Sequence, residues 1–313
     1  MPKVSIIIPV FGVEKYIERC ARSLFEQTLE DIEYIFIDDC TQDNSIMILK
    51  KVVEEYPLRI EQTQIIKMPE NSGLARVRRT GIQLASGDYI IHCDSDDWVA
   101  IDMYSAMFKL AVEEDSDLVV CDYYTTDGTD EKRSLGLFST DKEQAILNML
   151  FQKNSWSLCN KLFKRSVYNN KIIYPQDNMG EDMALTMQLI FYCDKISYLA
   201  NALYFYYQNP SSITKSGLSE NFMNRFIQAC RNTKIVDTFY EKTILKSKVE
   251  KGLLYVKFKQ RNLLLPIMND KECFKKWLMA FPEINLKVFF CNNITLKEKL
   301  KFLLTFLRLY PIN

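Results

Sequence analysis

Two groups of acids stand where apolar runs end. The run Tyr34–Ile37 leads straight into Asp38-Asp39, and the run Tyr89–Cys93 straight into Asp94-Ser95-Asp96-Asp97-Trp98. If both runs are strands of one parallel sheet, these acids lie at its carboxyl end, the side on which such sheets bind ligands. Carboxylates gathered there are costly unless paired, solvated or bound to a cation. Oxygen ligands without His or Cys suit a hard cation, Mg²⁺ or Mn²⁺, held together with substrate phosphates. A D-x-D triplet alone is weak evidence. Asp115-Ser116-Asp117 is a second copy, placed before an apolar run, and reads as a solvated helix-to-strand turn. For Asp94–Asp97 the alternative is a capping turn ahead of the helix near Ile101.

Three further features bear on chemistry. In Asn71-Ser72-Gly73-Leu74-Ala75-Arg76-Val77-Arg78 a Gly feeds a helix start, where N–H groups and the helix dipole favour an anion. Arg76, Arg78 and Arg79 add charge. Arg78, one turn beyond Leu74, either faces the site and neutralises Asp38 or Asp94, or joins a solvated basic face. Gly180-Glu181-Asp182 falls at another helix start, where the alternative role of both acids is to complement the dipole. The single His, His92, sits inside an apolar run and reads as a packed strand residue. That disfavours a His-based nucleophilic triad, and unclustered His and Cys disfavour zinc hydrolysis.

The elements that must position these residues alternate in period. Val4–Val10 is a β-branched run suited to a strand buried on both faces, followed at helical spacing by Tyr16, Ile17, Cys20, Ala21 and Leu24. Strands at Tyr34–Ile37, Ile65–Met68, Tyr89–Cys93 and Leu118–Cys121 alternate with helical faces on Ile48–Tyr56, Leu74–Ala85 and Ile101–Ala111. This order predicts an α/β fold with a parallel, doubly wound sheet. Thr125–Asp141 is polar and turn-rich and reads as a loop. Lys142–Phe151 and Met183–Phe191 read as helices, and Ile196–Leu199 and Leu203–Tyr207 as two short strands. From Ser219 the pattern is helical, with a boundary expected near Ser211–Ser219.

Composition bounds the class. The chain has 313 residues, 48% hydrophobic, with nine Gly and nine Pro, which excludes disordered and low-complexity readings. Lys and Arg balance Asp and Glu at 40 each, so there is no general basic field for nucleic acid. The total hides an asymmetry. From Lys215 onward there are 19 basic and 8 acidic residues, a net of +11, which leaves −11 for the first 214. Nine scattered Cys with no C-x-x-C read as reduced core residues of a cytosolic protein. Neither a signal peptide nor a transmembrane segment is expected.

Taken together the pieces resemble the family 2 glycosyltransferases of the bacterial surface-polysaccharide type, over roughly Lys3–Thr214. Val4-Ser5-Ile6-Ile7-Ile8-Pro9-Val10-Phe11 resembles the family's opening strand, with Gly12 where Asn is usual, then Glu14, Tyr16 and Ile17. Ile37-Asp38-Asp39-Cys40-Thr41-Gln42-Asp43-Asn44-Ser45 is similar to V-D-D-G-S-T-D-x-S, with Cys40 and Gln42 as departures. Glu70-Asn71-Ser72-Gly73-Leu74-Ala75-Arg76-Val77-Arg78 resembles E-N-x-G-L-x-x-A-R, Ser86–Ile90 resembles the G-[ED]-Y-I strand start, and Asp94–Trp98 matches D-S-D-D-W. Asn160-Lys161-Leu162-Phe163-Lys164 is like N-K-L-[YF]-[KR], and Gly180-Glu181-Asp182 matches the family's E-D. Tyr206-Tyr207-Gln208 with Ser212-Ile213-Thr214 resembles Y-Y-R…S-I-T, Gln208 replacing Arg.

The resemblance implies a GT-A fold: Rossmann-like, a mostly parallel central sheet with flanking helices, here with a C-terminal helical extension. It implies a catalytic unit over 1–215, with a nucleotide part to about 125 and an acceptor part beyond, then a basic helical region over 216–313. Pro9, Val10, Phe11 and Glu14 would line the nucleotide-sugar site, with Asn71 and Ser95 among its binding residues. Asp38 would hydrogen-bond the base and Arg78 stabilise the site. Asp94 would approach ribose and metal, Asp96 would ligate Mn²⁺ or Mg²⁺, and Asp182 would be the general base. The implied activity is metal-dependent, inverting hexosyl transfer from a nucleotide-sugar donor, a UDP-sugar first, to a hydroxyl of a glycan or lipid-linked acceptor. Two other readings are a phosphohydrolase of the haloacid-dehalogenase type, which wants Thr or Val where Asp97 stands, and an inactive scaffold, which would be expected to lack Asp96 or Asp182.

The tail adds one expectation. Lys297, Lys301, Thr305 and Arg308 form one stripe at helical spacing, Leu300, Leu303, Leu304 and Leu307 another, with Phe302 and Phe306 between. Such a helix either contacts an anionic inner membrane face, or packs its leucines on its own protein or a second copy.

Overall fold

The computed structural model describes residues 2–134, 138–209, 219–268 and 270–309, without side chains at 219–221. Ser212, Ile213 and Thr214, and most of the expected boundary, lie outside these. The first half alternates β1 (Val4–Val10), α1 (Ile17–Phe25), β2 (Ile32–Asp38), α2 (Ser45–Glu54), β3 (Thr63–Lys67), α3 (Leu74–Leu84) and β4 (Tyr89–His92). Then come β5 (Trp98–Val99), α4 (Met103–Glu113), β6 (Leu118–Thr126), β7 (Glu131–Ser134), α5 (Lys142–Leu150), β8 (Lys161–Lys164), α6 (Glu181–Tyr192) and β9 (Ile196–Tyr207). Helices follow: α7 (Ser219–Tyr240), α8 (Lys246–Arg261), α9 (Lys271–Met279), α10 (Lys287–Phe290) and α11 (Leu296–Phe306).

One nine-stranded sheet joins these strands in the order β3-β2-β1-β4-β8-β6-β9-β5, with β7 on β6. β1, β2, β3 and β4 pair in parallel, as do β6 and β9. β8 lies between β4 and β6 and runs against both, so those two share a direction. The sheet is therefore mostly parallel, as expected. β1 sits inside it because its run is apolar on both faces. Ile7 points into one core, and Val4, Ile6, Ile8 and Val10 into the other.

Several local readings need correction. Thr125–Asp141 is not all loop: β6 continues through Thr126 and pairs with β7, Tyr123 opposite Ser134. The two short strands expected after Ile196 are one strand, whose register with β6 shifts around Asp122. That irregularity lets exposed Asn201 pass without ending the strand. β5 and β8 were not expected. Each is two to four residues long and exists through pairing with distant strands.

α7 and α8 bury Val236, Phe239, Tyr240, Val249, Leu253 and Val256 in the same core as one face of the sheet. Beyond them Phe258, Trp277 and Phe302 centre a third core. α11 does not pack its leucine stripe on its own protein. Phe302 and Thr305 face inward, while Leu296, Leu300 and Leu307 are 83%, 54% and 54% exposed. The rings of Trp277 at 5.2 Å and Phe258 at 5.9 Å receive Phe302. An aromatic anchor buries more area per residue than a leucine, so it sets the helix's rotation and turns the leucines out. Among the described residues no helix is long and apolar enough to cross a membrane.

Candidate active site

The carboxyl ends of β1 and β4 and the start of α3 enclose a cavity of about 610 Å³. Pro9, Val10, Phe11, Glu14, Asn71, Asp94, Ser95 and Asp96 all line it. Phe11 is 53% exposed at its rim. Gly12, where the resemblance expects Asn, has φ +67°, and an added Cβ would meet nothing within 4 Å. Gly and Asn are the residues that tolerate this backbone region, so the departure is conservative. Glu14 accepts from both the backbone and side-chain nitrogens of Asn44 at 3.1 Å, tying this loop to the start of α2.

Asp38 is not on that wall; Asp39 is. Asp38 accepts the Thr41 N–H at 2.8 Å inside its own turn. Asp39 accepts the N–H groups of Ser72 at 2.6 Å and Gly73 at 2.8 Å, just ahead of α3. Asn178 Oδ1 accepts the Ala75 N–H at 3.2 Å. The anion expected at this helix start is thus a carboxylate of the protein itself.

The acids after β4 divide three ways. Asp94 Oδ1 accepts from Arg78 at 2.6 Å, and Asp96 Oδ2 accepts from the Asn209 amide at 3.0 Å. Asp97 accepts from the Tyr204 hydroxyl and, at 2.7 Å, from the Tyr207 N–H, pinning β9. Arg19 lies 3.7 Å from the Trp98 ring and donates to the Asp96 carbonyl at 2.9 Å, holding the turn from behind. Burial pushes the Asp96 carboxyl up, and Asp94 adds to the rise. Two carboxylates repelling each other in one cavity are a donor set that a cation relieves. Among the described residues no three acids, His or Cys gather into a metal cage. The pair therefore fits a hard ion held by one or two carboxylates plus diphosphate oxygens.

A second cavity, about 460 Å³, adjoins the first and shares Leu74, Asp94, Asn178 and Tyr206 with it. The first turn of α6 supplies Glu181 and Asp182 to its wall. Asp96 and Asp182 thus reach neighbouring spaces joined at Asp94. Arg78 is the cation between them. It is buried and bonds Asp94 at 2.6 Å and Glu181 at 2.5 Å, whereas Arg76 and Arg79 are exposed. Burial raises the Asp182 carboxyl, opposed by the Met183 N–H at 2.7 Å, by Arg78 and by Lys161. Lys161 was not singled out as a site residue. It is buried and donates to Ser155 O at 2.9 Å, Ser157 O at 2.7 Å and Asn160 Oδ1 at 3.0 Å. Its place within the N-K-L-F-K match was the available signal. His92 is buried with both ring nitrogens unpartnered, and burial pushes its pKa well down, as a packed neutral His.

Glu181 carries a pH consequence. One guanidinium cannot neutralise two carboxylates, and Glu181 is the more deeply buried partner. Burial raises its pKa from 4.5 to about 8, against the pull of Arg78. The fold thus favours its protonated form. Its stabilising contribution is full below pH 4.5 and is lost as pH rises through about 8. Lys161, lowered to about 8 by burial, acts only above that pH. Glu181→Gln is expected to flatten the fall in melting temperature across this window. Parallel melting curves for the two proteins would count against the assignment.

The sequence matches the profile of Glycosyl transferase family 2 over residues 5–173. The chain belongs to this family. Among its relatives is the uncharacterized glycosyltransferase EpsJ of Bacillus subtilis (strain 168), 29% identical over 225 residues, 69% of this chain. The chain spans 64% of the length of EpsJ. TarS of S. aureus superposes with a TM-score of 0.70 at 19% identity, over 95% of this chain and 50% of TarS. TarS 1–349 in complex with UDP-GlcNAc gives 0.59 at 18%, over 83% and 81%. A Pyrobaculum calidifontis mannosyltransferase in complex with GDP-Man and Mn²⁺ gives 0.58 at 14%, over 99% and 81%. These structures establish a GT-A fold for this family 2 chain.

Proposed function

We propose that this family 2 chain is an inverting glycosyltransferase. It moves a hexosyl group from a nucleotide sugar, a UDP-sugar first, to a hydroxyl of a glycan or lipid-linked acceptor in cell-surface polysaccharide synthesis. The observation that carries this reading is the pair of adjoining cavities, one holding Asp94 and Asp96, the other Asp182, with Arg78 on the wall of the second and paired to Asp94, which lines both. UDP-GlcNAc in TarS supports the donor class. In this reading the catalytic unit covers about 1–215, its first 125 residues holding the nucleotide.

Each residue has a task. Pro9, Val10, Phe11, Glu14, Asn71 and Ser95 shape the nucleotide site, and Asp38 holds the turn behind it. Asp96, with Asp94 beside it, would hold Mn²⁺ or Mg²⁺; a divalent ion bound there would offset charge on the departing diphosphate. Arg78 fixes Asp94 and keeps positive potential near that charge. Asp182 takes the proton of the attacking hydroxyl. One base and one displacement invert the anomeric centre, unlike the carboxylate pairs of glycosidases. Asp96→Ala is expected to weaken UDP binding in Mn²⁺ by about tenfold or more, with little change in metal-free buffer. Calorimetry with and without Mn²⁺ tests it, and equal affinities for both proteins would refute the metal role.

The chain in this reading works at the inner face of the cell membrane. The outward leucines of α11, flanked by Lys297, Lys299 and Arg308 and set in a region of net charge +11, favour an anionic bilayer surface. Leu300→Glu with Leu307→Glu is expected to abolish flotation with phosphatidylglycerol vesicles. Flotation unchanged by both substitutions would exclude this face as the contact.

A further inference from the structure

The described residues 170–180 form neither strand nor helix, yet they deliver Glu181 and Asp182 to the second cavity. Their backbone groups therefore need partners from elsewhere. α7 supplies them. The Asn232 amide nitrogen donates to the carbonyls of Asp177 and Met179, both at 2.9 Å. Gln228, one helical turn earlier, accepts the Met179 N–H at 3.0 Å. One face of one helix thus holds Met179 at both its N–H and its C=O. We infer that Gln228 and Asn232 are positioning residues for sugar transfer: through the loop they grip, they set where Asp182 and Asn178 stand in the site.

Asn232 is fully buried, where an amide is costly unless bonded. Both groups facing its nitrogen are carbonyl oxygens, which fixes that end of the amide as the donor. Its Oδ1 is buried without a partner. The residue therefore gives up one hydrogen bond to make two with the loop. The Arg231–Asp177 pair at 3.3 Å adds little, because Arg231 is largely exposed. Gly180 comes next, with φ +79°, and caps the start of α6. With Met179 fixed on one side of this turn, the direction in which α6 sets out is determined, and with it the place of the first-turn carboxylates.

The same loop reaches the first cavity. Asn178, between the two gripped residues, lines both cavities and accepts the Ala75 N–H at 3.2 Å at the start of α3. It lies so close to Gly73 that a Cβ there would be 2.6 Å from its Oδ1. A shift of the loop moves both groups at once, and a misplacement of about 1 Å costs on the order of a hundredfold in rate. α7 lies beyond the family match over residues 5–173. The proposed catalytic unit of about 1–215 thus takes the shape of its site from a helix outside it.

The inference rests on Asp182 acting as the base. Nucleoside diphosphate release from UDP- and GDP-sugars, with water as acceptor, is followed for the unsubstituted chain, Gln228→Leu, Gln228→Glu, Asn232→Leu and Asp182→Asn. Rates are taken well below each melting temperature, where a purely structural role leaves kcat unchanged. Gln228→Leu and Asn232→Leu are expected to lower kcat by about ten- to a hundredfold, with KM for the donor within about threefold. Gln228→Glu keeps an oxygen for the Met179 N–H and is expected to recover most of the lost rate. Leu variants within about twofold of the unsubstituted rate, or Gln228→Glu as slow as Gln228→Leu, overturn the inference. Should Asn232→Leu not fold, the two Gln228 variants decide. Asp182→Asn at full rate would instead remove the base assignment, a result distinct from these.

Discussion

Asp182→Asn is expected to slow sugar transfer by about 10²- to 10⁴-fold, the range for a positioned proton acceptor. Asn keeps the size of the side chain and its Oδ1, which here accepts the Met183 N–H. It cannot take a proton. UDP affinity is expected to stay within about twofold, because Asp182 lines the second cavity and not the first, where the nucleotide is proposed to bind. Burial has raised the Asp182 carboxyl, so the unsubstituted chain is expected to lose activity on its acid side as that group protonates. The variant is expected to lose that limb. Initial rates across pH, with UDP affinity by calorimetry, decide the matter. A variant retaining more than about a tenth of the rate would rule Asp182 out as the base.

The largest effect on stability is expected at Arg78. Arg78→Met leaves Glu181 buried with its other oxygen already unpartnered, and leaves Asp94 without its ion pair. Removing one member of a buried pair costs about 3–5 kcal/mol, which in a chain of this size lowers the melting temperature by roughly 5–8 °C. Adding Glu181→Gln to Arg78→Met is expected to restore part of the loss, because the double substitution leaves one carboxyl group, that of Asp94, without the guanidinium instead of two. Calorimetric melting of the three proteins measures this. A single variant as stable as the unsubstituted chain would show that the guanidinium does not hold the two carboxylates.

Much of this arrangement can be read from residue order alone, because it depends on local pattern. Val4–Val10 is a strand in full, since seven residues with almost no polar side chain have nowhere to go but a buried sheet. Asp94 and Asp96 follow from where an apolar run stops, and Arg78 from helical spacing against Leu74. What escapes depends on partners far away in the chain. Lys161–Lys164 has a charge at each end and becomes a strand because β4 and β6 leave a gap for it. Asp38 and Asp39 are indistinguishable as letters. Their separation rests on the N–H groups of Ser72 and Gly73, more than thirty residues on. The rotation of α11 was hidden for the same reason. Its leucines suggest a buried face, but the Trp277 and Phe258 rings claim Phe302 instead.

The position of β8 has a consequence for how the polypeptide matures. The edge of β4, the strand that leads into the aspartates, gains its neighbour only when Lys161–Lys164 arrives, and Asp97 gains its hydrogen bonds only when β9 does. On a ribosome, the first hundred residues would emerge with an unsatisfied strand border and an unsecured acidic turn, a state prone to pairing with other nascent chains. Closure across such long sequence separations is slow. A fragment cut near residue 125 is accordingly expected to aggregate rather than persist as a free folded module, and engineering that splits the chain there would meet the same obstacle.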